Sequence, residues 1–155
     1  IRAAYFVGAT RKARFDALIL TSSIMTLIAV GLLVLITLLG RISIVGLYTD
    51  SPIVAETAAM LLILCALYQF PDAAQAIAAG FLRGCHDTRV ITWVNISCYW
   101  LVGLPLAWIL IRTDWVSAGM GAAGAWVSFI ITLTLAAILL SWRCLRTRKM
   151  LFPAH

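Results

Sequence analysis

The chain alternates long runs in which nearly every position is apolar with short stretches that hold almost all of its charge. Four runs, 15–39, 53–82, 90–111 and 122–142, reach the roughly 20 residues that a helix needs to cross a hydrocarbon core about 30 Å thick. Connectors at 40–52, 83–89 and 112–121 separate them, and 1–14 and 143–155 flank them. Inside a bilayer the backbone N–H and C=O groups must find partners within the segment, which favours helices. The pattern therefore predicts an all-α polytopic membrane protein with four transmembrane helices.

Local signals refine these elements. Thr21, Ser22, Ser23, Thr26 and Thr37 punctuate the first span, and their hydroxyls suit bonds to helix backbone or to a neighbouring helix. Gly40-Arg41 marks its expected end. Thr49-Asp50-Ser51-Pro52 reads as a helix start, with Asp50 or Ser51 as the cap and Pro52 in the first turn. The second span is longer than a bilayer requires, so it is expected to tilt or bend. Pro71 supplies a cause: it has no N–H, and the carbonyl of Leu67 loses its helical donor. Gly84 suits a C-cap position. Gly103-Leu-Pro105 predicts a kink or hinge in the third span. Trp93, Trp100 and Trp108 share that span; two suit the membrane interfaces, and Trp100 is expected to face a neighbour or a cavity.

Composition agrees. The chain is 63% hydrophobic and 12% charged, with a mean hydropathy of +1.03. A soluble domain carries about 25% charged residues, so that class is excluded. The net charge of +6 raises nucleic acid as a partner, but the placement of the basic residues argues against it. Arg2, Arg11, Lys12 and Arg14 precede the first span, Arg83 and Arg89 lie between the second and third, and Arg143, Arg146, Arg148 and Lys149 follow the fourth. The other two flanks carry Arg41 with Asp50 and Glu56, and Arg112 with Asp114. Basic excess alternates as antiparallel spans require, which predicts that both ends of the chain are cytoplasmic. No signal-peptide pattern opens the chain, and a start at Ile1 rather than Met is read as a piece of a longer or processed protein. Cys65, Cys85, Cys98 and Cys144 show no paired spacing and read as free thiols packed as small hydrophobes.

One residue breaks the apolar pattern. Asp72 lies within the second span, about ten residues from its end, hence roughly 15 Å into the membrane at 1.5 Å per residue. An unpaired charge there costs about 2.5–3.5 kcal/mol even on the lenient insertion scale. Tyr68, Asp72 and Gln75 follow at i, i+4 and i+7 and share one helix face, where a phenol can donate to the carboxylate. Such a carboxylate can exchange a proton for a cation, which is the chemistry of a coupling site in a secondary transporter. An interhelical hydrogen bond that only stabilises the bundle is the plainer reading. Arg83 and Asp87 are spaced to pair across their loop, although a solvated charge run is the plainer reading there, and His86 reads as a surface residue. No serine-histidine-acid arrangement or phosphate loop is present, and no second catalytic group accompanies Asp72, so no enzyme and no cofactor are expected.

At this point the order of segments resembles the multidrug and toxin extrusion (MATE) family, in its NorM-type branch. The matching stretches are Gly46-Leu-Tyr-Thr-Asp50, Tyr68-Gln-Phe-Pro-Asp72-Ala-Ala-Gln75, Gly80-Phe-Leu-Arg-Gly84, Asp87-Thr-Arg89, Asn95, Tyr99-Trp-Leu-Val-Gly-Leu-Pro105 and Gly121-Ala-Ala-Gly-Ala-Trp126. The resemblance implies a twelve-helix fold of two lobes, of which this chain is the C-terminal part of the second, the end of helix eight and helices nine to twelve. It implies a multi-pass protein of the bacterial inner membrane that exports organic cations and other amphiphilic compounds in exchange for Na⁺ or H⁺. Its partners would be membrane lipid, the missing N-terminal lobe and those small molecules. Asp72 takes the place of the coupling Asp and Tyr68 that of the Tyr one turn before it. Gln75, Asn95, Tyr99 and Trp100 are expected to line the cavity, and Pro71, Gly103 and Pro105 to kink or hinge the helices. A different exporter, moving lipid-linked compounds, and a four-helix membrane subunit that transports nothing are the alternatives.

Overall fold

The computed structural model describes residues 4, 5, 8, 9, 12–112 and 120–152. Most of the expected 112–121 loop with Asp114, much of the basic N-terminal flank and the last three residues lie outside the described residues. The rest forms α1 (Lys12–Gly46), α2 (Pro52–Gly84), α3 (Thr88–Ile96), a π-helical stretch (Ser97–Gly103), α4 (Leu104–Arg112) and α5 (Ala122–Leu151). No strand occurs among the described residues. Because α3, the π stretch and α4 run on without a break, four helical rods are long and apolar enough to cross a membrane.

α5 is the centre of the bundle. α2, α3, the π stretch and α4 all pack against it, while α1 lies along α2. The most apolar window of α5 is 44% buried, against 0% for α1. Ala78, Ala79 and Leu82 on α2 meet Ile91 and Leu140 in one core cluster. At the end of the bundle where α1 begins, the Phe15 ring is 1% exposed, set edge-on to Phe81 with centroids 6.0 Å apart and tilted against Phe152 at 5.6 Å.

Both outer helices outrun their apolar runs. α1 does not stop at Gly40-Arg41 but continues to Gly46. Val45 is buried, and with Ile42 it lines a small cavity against Ala55 and Ala59 of α2. α5 carries its basic residues as further helical turns to Leu151, with Arg148 and Lys149 in the last turn, where positive charge suits the helix dipole.

Helix ends follow local chemistry. Ser51 is the cap of α2 with Pro52 in the first turn, but its side chain makes no capping bond; its N–H donates to Thr49 Oγ1 at 3.2 Å. Pro71 sits inside α2 and does not end it. The C-terminal turn closes differently from expectation. Gly84 is buried in the helix, and the left-handed position falls on His86, with φ 60°. The Asp87 N–H donates to the Leu82 carbonyl at 2.9 Å and the His86 N–H to Arg83 at 3.1 Å, the paired bonds of a Schellman turn. A histidine thus holds a position that glycine takes without strain.

The expected kink near Gly103 takes the form of the π stretch. The Leu104 N–H donates to the Tyr99 carbonyl, five residues back. Pro105 follows and offers no N–H, so a carbonyl one turn before it has no α-type donor. Gly103 also touches α5: a Cβ there would lie 3.0 Å from Thr132 Oγ1, and its carbonyl accepts from Ser128 Oγ at 2.8 Å. A Cβ on Gly124 would lie 2.8 Å from the Leu110 carbonyl oxygen. Small residues let the α4 and α5 backbones approach this closely.

Candidate ion-coupling face

Tyr68, Asp72 and Gln75 stand on adjoining positions of α2, yet each meets something different. Gln75 is 8% exposed; its Nε2 donates to Asn95 Oδ1 at 2.9 Å, and its Oε1 accepts from the Tyr99 hydroxyl at 3.3 Å. The fold therefore brings Gln75, Asn95 and Tyr99 together as one polar network between α2 and the third rod. Tyr68 is half-buried and sets its ring at 85° to Trp126 of α5, centroids 5.7 Å apart. The expected phenol–carboxylate hydrogen bond is not formed among the described residues. Nothing in the sequence singles out Trp126, early in the fourth span, as the partner of Tyr68. Trp100 is 66% exposed and stands outside the network.

Asp72 itself is exposed and makes no hydrogen bond or ion pair among the described residues. The open strip continues along Ala76, Gly80 and Arg83, and a Cβ on Gly80 would meet nothing within 4 Å. Asp72 is thus twelve residues from Gly84, roughly 18 Å along the helix axis. A monovalent cation here would be held by one carboxylate and neutral oxygens, because no group of three or more acidic, His or Cys side chains gathers among the described residues. The Leu67 carbonyl, one turn before Pro71, is a neutral oxygen of that kind.

Sequence comparison places these elements. The MatE family model matches residues 1–109. The chain belongs to the MatE family. A probable multidrug resistance protein NorM of Mannheimia succiniciproducens is 43% identical over 114 residues, covering 74% of this chain and 24% of that protein. Multidrug resistance protein MdtK of Cronobacter sakazakii is 47% identical over 107 residues, 69% of this chain and 23% of its own length. MdtK of Yersinia pestis is 42% identical over 136 residues, 88% of this chain and 29% of its own. The MatE chain thus spans under a third of the curated relatives it matches.

The basic end of this MatE chain carries the charge pairs that spacing alone did not reveal. Asp87 pairs with Arg143 of α5, Nε to Oδ2 at 2.7 Å, and accepts from Thr147 Oγ1 at 3.4 Å; it does not turn to Arg83. Asp16 is gripped by Arg148 through two bonds, at 2.6 and 2.7 Å. The two pairs tie α1 and the α2–α3 loop to the last turns of α5. Cys65, Cys85, Cys98 and Cys144 are all free, and burial pushes the Cys85 thiol in that loop above its ordinary pKa.

Proposed function

We propose that this chain is the C-terminal part of a twelve-helix bacterial inner-membrane exporter that moves amphiphilic or cationic small molecules outward in exchange for Na⁺ or H⁺, with Asp72 as its coupling carboxylate. The observation that carries the reading is the exposed, unpaired Asp72 within an apolar 33-residue helix. Such a group is too costly to leave facing lipid, so it faces something that uses its charge. The multidrug resistance in the relatives' names supplies the substrate class.

The mechanism follows from the two states of one carboxylate. Ionised, Asp72 attracts Na⁺, H⁺ or a cationic drug; with the ion bound, its charge is cancelled and the cavity loses its hold on the drug. The ion and the drug therefore favour different conformations, which yields exchange. Tyr68, held by Trp126, borders the site, and the Gln75–Asn95–Tyr99 network sits one turn away as neutral lining. Pro71, Gly103 and Pro105 supply the places where α2 and the third rod bend between forms. In this reading the basic flanks are cytoplasmic, the 40–52 and 112–121 connectors are external, the missing lobe closes the cavity, and no cofactor or catalytic step takes part. The lipid-linked alternative wants cations in the spans, and no Lys or Arg occurs in 42–82 or 90–111.

The test is dye export from cells that produce the full-length protein or its Asp72→Asn variant at matched level, with Na⁺ and H⁺ gradients imposed in turn. Loss of ion-driven export in the variant is expected, and the gradient that drives the parent names the ion. Export equal to the parent's would make Asp72 a structural residue and leave a non-transporting subunit or another coupling site to explain the chain.

A further inference from the structure

We propose that the groove between α1 and α5 at the basic end of the bundle binds an anionic phospholipid, one acyl chain lying in the groove and the head group at the basic rim. The inference needs a membrane setting but not the coupling role of Asp72.

Three adjoining cavities, of about 400, 610 and 100 Å³, meet at Ala74. Phe70, Ala74, Ile77 and Phe81 of α2 form the floor, with Leu27 of α1 and Leu145 of α5 on the walls. From Phe81 to Phe70 the floor runs eleven residues, roughly 16 Å at 1.5 Å per residue, close to half of a ~30 Å hydrocarbon core. The groove therefore reaches from head-group level to the middle of the bilayer, the depth of one leaflet's acyl chain. The groove is lined mainly by apolar side chains, a surface that suits an alkyl chain.

The rim has the matching charge. Arg148 lines the groove and spends its Nε and Nη2 on Asp16, which leaves N–H groups of its five free. Lys12 stands near enough to act on Asp16, so the local balance is positive. On the α5 side Trp142 lines the groove, and the Arg146 guanidinium lies over its ring at 5.4 Å with no ion pair among the described residues. An indole beside basic side chains belongs at head-group level, and basic pockets between helices there hold anionic lipid heads.

Native mass spectrometry of the purified full-length protein, after incubation with phosphatidylglycerol or phosphatidylethanolamine, tests this. The parent is expected to retain phosphatidylglycerol in preference. Ala74→Leu, which fills the junction of the three cavities, is expected to lose that lipid, and Arg146→Gln to weaken its retention about fivefold, from roughly 1 kcal/mol per basic residue. Thr57→Leu, near the start of α2 and away from the groove, should retain lipid like the parent. Unfolding temperature in detergent checks that each variant is folded. Equal retention by the parent and a folded Ala74→Leu, no preference over phosphatidylethanolamine, or cross-linking of Cys144 to another segment of the same protein with no lipid retained would each overturn the proposal. None of these outcomes reads export, so Asp72 stands or falls separately.

Discussion

The basic end of the bundle and the middle of α2 handle the same functional group in opposite ways. At the basic end, Asp16 and Asp87 are each met by an arginine of α5 at 2.6 and 2.7 Å. In the middle of α2, Asp72 has no such partner and faces outward from the described bundle. A carboxylate that merely joins helices is expected to look like the first two. The contrast teaches that pairing, rather than the presence of an acid, sets the two carboxylates that fasten helices apart from the one proposed to couple ions.

The largest effect should come from exchanging the roles. Asp72→Asn should cut ion-driven export by about 100-fold or more, the scale on which a proton-transferring group counts, with the unfolding temperature of the full-length protein unchanged. Asp16→Asn should do the reverse, keeping export and costing about 1 kcal/mol of stability in a denaturation series, since that pair is about one-third exposed. If both variants lose only stability, the contrast fails. A second test is confined to the basic end. In a double-mutant cycle of Asp87→Asn and Arg143→Gln, the coupling should be about 1 kcal/mol, whereas Asp87→Asn with Arg83→Gln should give none. Of similar size is the aromatic support of the open face. Trp126→Ala removes an edge-to-face contact worth about 1 kcal/mol, and should lower export several-fold without changing which ion drives it. The smallest effect is a gain. His86→Gly relieves a left-handed residue and should stabilise the loop that carries Asp87 by about 0.5–1 kcal/mol, read as slower amide exchange at Asp87.

Much of this architecture is legible in the chain because membrane helices are written in long apolar runs, and four runs became four rods. The start of α2 is equally legible, since Ser51-Pro52 acts through its own backbone. Helix ends are less so. Residues 40–46 and 143–151 continue the helices where these have neighbours, α2 in one case and Asp87 and Asp16 in the other, and hydropathy does not register such neighbours. Spacing put Arg83 within reach of Asp87, but the Schellman turn leaves Arg83 on the exposed strip of α2, and Arg143 takes the carboxylate. In the candidate site, helical periodicity placed Tyr68, Asp72 and Gln75 together on α2. It held no information on the neighbours that divide them, Trp126 from α5 and Asn95 and Tyr99 from the third rod. The glycine and proline at 103 and 105 announced an irregularity, but neither its π-helical form nor the close approach of Gly103 to Thr132.

The grip of Arg148 on Asp16 also has a meaning in time. The two residues are 132 positions apart. At a synthesis rate of about 5–20 residues per second, roughly 7–26 seconds separate their emergence from a ribosome. Throughout that interval the start of α1 has Phe81 of α2 to pack against through Phe15, but no partner from α5. The contact between Asp16 and Arg148 can form only after the helices between them have been synthesised, so it acts as a late latch on the start of α1.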